Sequence, residues 1–153
     1  MATVIEEVGV RHSHAVTCPG PVSVASKPPH VLLIDDDELF GALMVAVANA
    51  RGVKLSYFPS LEAAGHIGAI GGYDAAILDY YLNRFTGAEI AEYFDAFFSK
   101  TPVFVVSGRE TYPDAGPPPK CLRKFLCKVI GPQKILDEVL AAISPNGYPK
   151  ELT

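Results

Sequence analysis

Residues 30–37 read HVLLIDDD, and the prediction of the fold starts from this stretch. Val31–Ile34 is a short run of branched apolar residues, typical of a strand buried on both faces of a sheet. The run ends at three consecutive acids, Asp35, Asp36 and Asp37. The stretch therefore predicts a central strand that delivers carboxylates to one edge of a sheet.

A helix is predicted directly after these acids, from Glu38 to about Arg51. Asp37 is placed to cap its first turn, and Gly52 is placed to end it in a left-handed conformation. Apolar residues recur at spacings of three and four, which predicts one buried stripe. That stripe consists of Phe40, Leu43, Met44 and Val47.

The same alternation of strand and helix continues to the end of the pattern. The other predicted strands are Lys54–Phe58, Ala75–Leu78 before Asp79, Val103–Val106 before Ser107, and Leu122–Cys127 before Lys128. Three further helices are predicted. They are a weak one capped by Ser60 and reaching Ile70, one behind a Thr86–Glu89 capping box that buries Ile90, Phe94 and Phe97, and one that begins at Pro132.

Alternating strands and helices predict an α/β fold with a parallel sheet covered on both faces. In such sheets ligands bind beyond the carboxyl ends of the strands. Four strands end at polar residues here: the Asp35–Asp36 pair, Asp79, Ser107 and Lys128. We expect these side chains to meet at one rim.

Carboxylates crowded together repel one another unless a cation joins them. A set of oxygen ligands suits Mg²⁺, and a lysine and a hydroxyl on the same rim suit phosphoryl oxygens. Phosphoryl transfer needs little beyond charge neutralisation and in-line positioning. No Walker A or GxGxxG sequence supports nucleotide binding.

The order of these residues resembles the receiver domain of response regulators in two-component signalling. The resemblance covers residues 30–144 and implies a flavodoxin-like, doubly wound, five-stranded parallel sheet in the order 2-1-3-4-5, like that of the chemotaxis receiver. Gly87 stands where the family has its loop glycine, and Phe125 where it has its aromatic switch residue.

The resemblance also implies roles for single residues. Asp79 would be the phosphoacceptor, and Ser107 and Lys128 would bind phosphoryl oxygens. Asp36 would ligate Mg²⁺ directly together with Asp79 and the backbone carbonyl of Tyr81, and Asp35 would act through water. Ser107 and Phe125 would form the switch. Tyr81 and Arg109 would flank the path of attacking water and tune the rate of dephosphorylation.

The chain departs from the family between Ser107 and the fifth strand. Residues 109–120 contain Pro113, Gly116 and the three prolines 117–119, which cannot hold a regular helix. We therefore expect helix four to be absent or irregular. The face it would cover, with Val103, Val105, Leu122 and Leu126, needs another cover. The candidates are this loop, the N-terminal residues Val4, Ile5 and Val8, or a second copy in a homodimer. Val129 and Asn83 replace prolines usual in the family.

Length and composition set the remaining limits. With 153 residues and a net charge of -4, we expect one domain and no binding to nucleic acid. Residues 1–29 are predicted to be a partly disordered extension, in which His12 and His14 have no further ligand nearby, and residues 145–153 a tail. Three cysteines without CxxC spacing predict reduced thiols. No apolar run reaches the roughly 20 residues of a membrane span, so we expect a cytoplasmic protein.

These observations together predict a stand-alone response regulator with no output domain after Ile143. It would take a phosphoryl group from a histidine kinase or phosphotransfer protein, act on a downstream protein partner, and turn over no external substrate. The alternative is a pseudo-receiver that acts as a binding module without phosphorylation. A hydrolase of the aspartyl-phosphate kind lacks a second acid placed for general acid–base work.

Overall fold

A computed structural model describes residues 27–65, 71–98, 100–110 and 117–144. Within these ranges, strands and helices alternate along most of the chain. The elements are β1 (His30–Ile34), α1 (Glu38–Ala50), β2 (Lys54–Phe58), β3 (Ala75–Asp79), β4 (Tyr81–Leu82), β5 (Phe85–Thr86), α2 (Gly87–Phe97), β6 (Val103–Ser107), β7 (Leu122–Cys127), a 3-10 turn (Lys128–Ile130) and α3 (Pro132–Ile143).

Five of the strands form one parallel sheet in the order β2-β1-β3-β6-β7. This confirms the predicted fold class and the order 2-1-3-4-5, because β6 and β7 are the fourth and fifth strands of that sheet. Ile34 pairs with Leu78, and Leu78 pairs with Val105. The carboxyl ends of β1, β3 and β6 therefore lie level at one rim.

The helix ends follow the predicted local chemistry. The Asp37 carboxylate accepts a hydrogen bond from the Phe40 N–H at 3.0 Å, and Gly52 has a φ of 65° after the end of α1. Thr86 and Glu89 form the reciprocal capping box, and Pro132 is the first residue of α3. These contacts satisfy backbone groups that a helix end leaves unpaired. The helix boundaries could therefore be predicted from the sequence.

Two apolar cores lie on opposite faces of the sheet. α1 and α3 cover one face, and α2 covers the other. Two predicted core residues were wrong: Leu43 is 48% exposed and Phe97 is 65% exposed. Ala48 lies four residues after Met44 and completes the stripe of α1, which leaves Leu43 on its flank. Phe98 packs on Phe94 at a centroid distance of 5.6 Å and takes the place predicted for Phe97.

The predicted second helix is only a turn within the described residues. Ser60 accepts a hydrogen bond from the Ala63 N–H at 3.1 Å, as a helix cap would, but residues 61–64 form turns. Gly65 then takes a φ of 89°, which ends any helical path. The helix predicted from Ser60 was therefore wrong as far as Gly65, and residues 66–70 lie outside the described ranges.

A register shift in β7 changes which of its side chains face which core. Val103 pairs with Leu122, but Phe104 pairs with Lys124, so one residue of β7 is unpaired. Such a bulge reverses the alternation of side chains. Leu126 consequently packs with α1 and α3, and the prediction that it lies on the face of the missing helix four was wrong. Phe125 packs on that face instead.

No helix occurs between β6 and β7 in residues 108–110 and 117–121, as predicted, and residues 111–116 lie outside the described ranges. Val103 and Val105 are nevertheless fully buried. The Asp95 carboxylate of α2 accepts hydrogen bonds from the N–H groups of Lys120 at 3.0 Å and Cys121 at 2.8 Å. The connection thus helps to cover this face, which was the first of the three predicted coverings. Val4, Ile5 and Val8 lie outside the described residues.

Among the described helices, none has the length and apolar character needed to cross a membrane.

Candidate functional site

The rim of the sheet brings the predicted charged residues together. Asp35 follows β1, Asp79 ends β3, and Lys128 follows β7. The Lys128 ammonium lies 2.7 Å from Oδ2 and 2.9 Å from Oδ1 of Asp35, and 2.8 Å from Oδ1 of Asp79. One lysine therefore bridges two carboxylates that come from different strands.

The two carboxylates and the lysine that bridges them are largely shielded from solvent. Asp35 is fully buried, Asp79 is 5% exposed, and Lys128 is half-buried. Burial raises the pKa of Asp35 to about 6, although the hydrogen bond from Lys128 opposes the change. Burial also raises the pKa of Asp79. For Lys128, burial lowers the pKa, but the two carboxylates outweigh it and the pKa is raised.

Backbone donors hold the carboxylates in place. The Asp37 N–H donates to Oδ1 of Asp35 at 2.9 Å, and the Tyr81 N–H donates to Oδ2 of Asp79 at 3.0 Å. Ser107 is buried at the end of β6, and its hydroxyl oxygen accepts a hydrogen bond from the Arg109 N–H at 3.2 Å. These bonds orient the side chains without consuming all their lone pairs.

The acids fit a small divalent cation. Asp35, Asp36 and Asp79 each place one carboxylate oxygen within 4.8 Å of the others. Oδ2 of Asp35 is buried and has no hydrogen bond, because its contact with Lys128 lacks hydrogen-bond geometry. A buried charged oxygen with a free lone pair, beside an exposed Asp36, matches the preference of Mg²⁺ for one or two carboxylates and several waters. The ligand role of the Tyr81 carbonyl and the water-mediated role of Asp35 stay predictions.

Two predicted rate-tuning residues touch each other. The Arg109 guanidinium carbon lies 5.3 Å from the centre of the Tyr81 ring, within the range of a cation–π contact. Tyr81 is 47% exposed. Because Tyr81 follows Asp79 by two residues and Arg109 follows Ser107 by two, their contact joins the ends of two strands at the rim.

The predicted switch residue Phe125 is half-buried on β7. Its ring packs edge-on against Tyr80, which directly follows Asp79, at a centroid distance of 6.4 Å. The switch role itself stays a prediction.

Sequence reasoning missed two contributors to the site. The Phe40 ring lies 4.8 Å from the Lys128 ammonium, although its spacing marked it only as core. The Tyr57 hydroxyl donates to the Asp35 carbonyl at 2.9 Å. Gly87, which was noted only by position, lies so close to β3 that a Cβ there would be 2.6 Å from the Asp79 carbonyl oxygen.

Comparisons with known proteins agree on the fold. No protein-family model matches the sequence, and no curated protein matches it. Among solved structures, the receiver domain of an HD domain-containing protein from Pseudomonas fluorescens is similar, with 17% identity and a TM-score of 0.65 over 76% of this chain and 94% of that one.

Two further structures are similar in the same way. The response regulator TrrA from Thermotoga maritima shares 17% identity and a TM-score of 0.63, over 72% of this chain and 96% of that one. The receiver domain of the putative response regulator NarL from Mycobacterium tuberculosis shares 21% identity and a TM-score of 0.61, over 76% and 97%. With its sheet order and polar rim, the chain has the fold of response-regulator receiver domains.

Proposed function

We propose that this chain is a signalling receiver that accepts a phosphoryl group on Asp79 in a Mg²⁺-dependent reaction. The observation that carries the proposal is the bridge from Lys128 to both Asp35 and Asp79 beside the exposed Asp36. An acid nucleophile, a lysine and a metal-binding acid pair form the minimum set for phosphoryl transfer to a carboxylate. Each comes from a different strand end, so the fold itself assembles them.

In the proposed reaction, a carboxylate oxygen of Asp79 forms a bond to phosphorus, and the bond from phosphorus to the donor nitrogen breaks. The donor is a phosphohistidine of a histidine kinase or phosphotransfer protein, and the leaving imidazole takes up a proton. Lys128 already contacts Asp79, so it needs only a small movement to pair with a phosphoryl oxygen. The buried Ser107 hydroxyl supplies a further donor. A Mg²⁺ ion on Asp35, Asp36 and Asp79 would neutralise charge on the phosphoryl oxygens.

Two similar structures support the metal and the phosphoryl chemistry. The TrrA structure is a complex with Mg²⁺ and beryllium fluoride, and another similar receiver, DrrB, is described as activated by BeF₃. Beryllium fluoride stands in for a phosphoryl group. Both structures have folds similar to that of this chain, at TM-scores of 0.63 and 0.62.

Exposed apolar side chains next to the site support a protein as the phosphoryl donor. Leu39, three residues after Asp36, is 72% exposed, and Val129, directly after Lys128, is 85% exposed. Ile130 is also exposed. Exposed apolar side chains that form one contiguous patch mark surfaces that bind proteins. The only reaction proposed for the chain is transfer of a phosphoryl group to Asp79. The chain would therefore signal by binding a further protein partner.

The test is phosphorylation by a small donor. Wild type incubated with acetyl phosphate and Mg²⁺ should gain one phosphoryl mass, mapped to Asp79, and EDTA should prevent it. Asp79→Asn should gain none, and Asp137→Asn on α3 serves as a control that should label normally. Labelling of Asp79→Asn at the wild-type level would refute the proposal. Failure of wild type to label, with and without a kinase, would favour the pseudo-receiver.

A further inference from the structure

Tyr57 on β2 holds the backbone of the acidic loop although it contributes no ligand. Its hydroxyl donates to the Asp35 carbonyl oxygen at 2.9 Å. The neighbouring residue holds the other side of the same backbone, because the Asp35 N–H donates to the Phe58 carbonyl at 3.1 Å. Asp35 directly follows the last residue of β1. These two hydrogen bonds therefore hold its backbone against β2 beyond the end of β1.

The carbonyl that Tyr57 holds belongs to the peptide bond between Asp35 and Asp36. A peptide group is planar, so fixing its oxygen fixes the direction in which the chain leaves Asp35 and enters Asp36. Asp35 and Asp36 are two of the three acids whose oxygens lie within 4.8 Å of one another. The angle between their side chains therefore depends on this one peptide plane.

The place of the Tyr57 ring is prepared by a glycine. Gly41 lies in the first turns of α1, and a Cβ at that position would lie 2.5–2.9 Å from three atoms of the Tyr57 ring. Any larger residue would displace the ring from its present position. Gly41 is also buried, and the three heavy atoms nearest to a Cβ there all belong to the Tyr57 ring.

We propose that Tyr57 is a positioning residue, which sets the Asp35–Asp36 peptide through its hydroxyl and so presents both acids to a divalent cation. Gly41 provides the room for it. The inference rests on the proposed function, because it concerns the same metal site. Part of the affinity for the cation then depends on the Tyr57 hydroxyl, which lies outside the acidic loop.

The test is the Mg²⁺ affinity of the unphosphorylated full chain, measured by titration calorimetry at pH 7.5. Tyr57→Phe keeps the ring and removes only the hydroxyl. We expect its Kd for Mg²⁺ to rise about three- to tenfold, the value of one hydrogen bond. Tyr73→Phe is the matched control, because Tyr73 packs on His30 at the opposite end of the sheet, and its Kd should equal that of wild type.

Stability in EDTA separates positioning from simple packing. If Tyr57 only packs, Tyr57→Phe lowers the urea midpoint without the metal and leaves the Mg²⁺ affinity unchanged, which overturns the inference. Gly41→Ala should weaken Mg²⁺ binding in wild type but add little in a Tyr57→Phe background; full additivity would also overturn it. If wild type binds no Mg²⁺ at all, the proposed function fails with it, and this outcome is distinct from an unchanged affinity in the variant.

Discussion

Among the acids of the proposed metal site, Asp35 is the most deeply buried. Its pKa is raised to about 6 because it is buried, so the folded chain binds this proton more tightly than the unfolded chain does. Without metal, this group favours the folded state at low pH, and that contribution is lost as pH rises from about 4 to about 6. Mg²⁺ has the opposite preference, because only the ionised carboxylate is a ligand.

We therefore predict that stabilisation by Mg²⁺ shrinks on acidification. At a free concentration of 100 times its Kd, Mg²⁺ should add about 2.7 kcal/mol to the free energy of unfolding at pH 7.5. About half of this should disappear by pH 5, because protonation of Asp35 with a pKa of about 6 weakens Mg²⁺ binding about tenfold. The measurement is the difference in urea unfolding with Mg²⁺ and with EDTA across that range. Asp35→Asn should show a smaller Mg²⁺ effect that changes less with pH, and an equal effect of Mg²⁺ at both pH values in wild type would contradict the prediction.

Tyr81 and Arg109 form a contacting pair beside Asp79. Their cation–π contact places two large side chains at the ends of β3 and β6, beside Asp79. We predict that phosphorylated Asp79 hydrolyses about two- to fivefold faster in Tyr81→Ala with Arg109→Ala, since a contact of this kind is worth roughly 0.5–1 kcal/mol. Decay of the acyl phosphate, followed by mass, is the measurement. Tyr93→Ala with Arg123→Ala removes the same exposed residue types elsewhere and should not change the rate. Equal decay of the first variant and wild type would show that the pair does not guard the site.

The site residues differ in how far the sequence predicted them. Asp35, Asp79, Ser107 and Lys128 were predictable because each stands at the end of an apolar run, where a parallel sheet collects side chains. Tyr57 was not, because its contribution depends on the register of β2 against β1 and on a glycine in α1. Such contacts join residues far apart in the chain, and no local period marks them.

At the level of secondary structure, α2 begins directly against β3, the strand that ends in the proposed phosphoacceptor Asp79. Its first residue, Gly87, donates its N–H to the Tyr80 carbonyl at 2.9 Å. A Cβ at Gly87 would lie 2.6 Å from the Asp79 carbonyl oxygen, which is backbone and cannot turn aside. We predict that Gly87→Ala lowers the free energy of unfolding by about 1–3 kcal/mol, the usual effect of overpacking, and lowers acetyl phosphate labelling of Asp79.

The control for this variant is another glycine on the same rim. Gly108 follows Ser107, and a Cβ there would meet no heavy atom within 4 Å. Gly108→Ala should therefore unfold at the wild-type urea concentration and label normally. If Gly87→Ala matched Gly108→Ala in both measurements, the close approach of α2 to β3 would have no energetic consequence.

The sequence did not predict the elements that lack a repeating pattern of apolar and polar residues. The β4–β5 hairpin has two residues in each strand, too few for alternation to show. The bulge in β7 comes from pairing with β6, and it moves Leu126 to the opposite core. Strands and helices with a full apolar run or a capping motif were mostly predicted well, because their own residues specify them. The Ser60 cap is the exception, because Gly65 ends the helical path after one turn.

In the described part of the molecule, no fourth helix packs beside α2 on its face of the sheet. Hydrogen bonds between α2 and the segment before β7 help to cover this face instead. Both Asp95 carboxylate oxygens accept backbone hydrogen bonds, from Lys120 and Cys121. The Cys121 thiol donates to the Ala91 carbonyl at 3.2 Å, so the connection before β7 is attached to α2 at three points. These hydrogen bonds connect α2, which begins beside Asp79, to the strand that carries Phe125 and that Lys128 directly follows.

The thiol of Cys121 reports whether that attachment is closed. Cys121 is 2% exposed, and burial together with the nearby Asp95 carboxylate raises its pKa to about 11. Both factors suppress the thiolate, which is the form that alkylating reagents attack. We predict that native Cys121 reacts with iodoacetamide at pH 8 far more slowly than Cys127, which is partly exposed. Peptide mapping by mass distinguishes the two sites and Cys18.

Removal of Asp95 should open the attachment. Asp95→Ala leaves the buried Cys121 N–H without its charged acceptor, so we predict a loss of roughly 1.5–3 kcal/mol in the free energy of unfolding and faster alkylation of Cys121. Asp137→Ala removes a more exposed aspartate that pairs with Arg51 on the surface at 2.8 Å, and it should cost at most about 1 kcal/mol without exposing Cys121. Alkylation of Cys121 at the Cys127 rate in native wild type would mean that this face is open. An unchanged rate in Asp95→Ala would mean that packing alone, and not the carboxylate, holds the connection against α2.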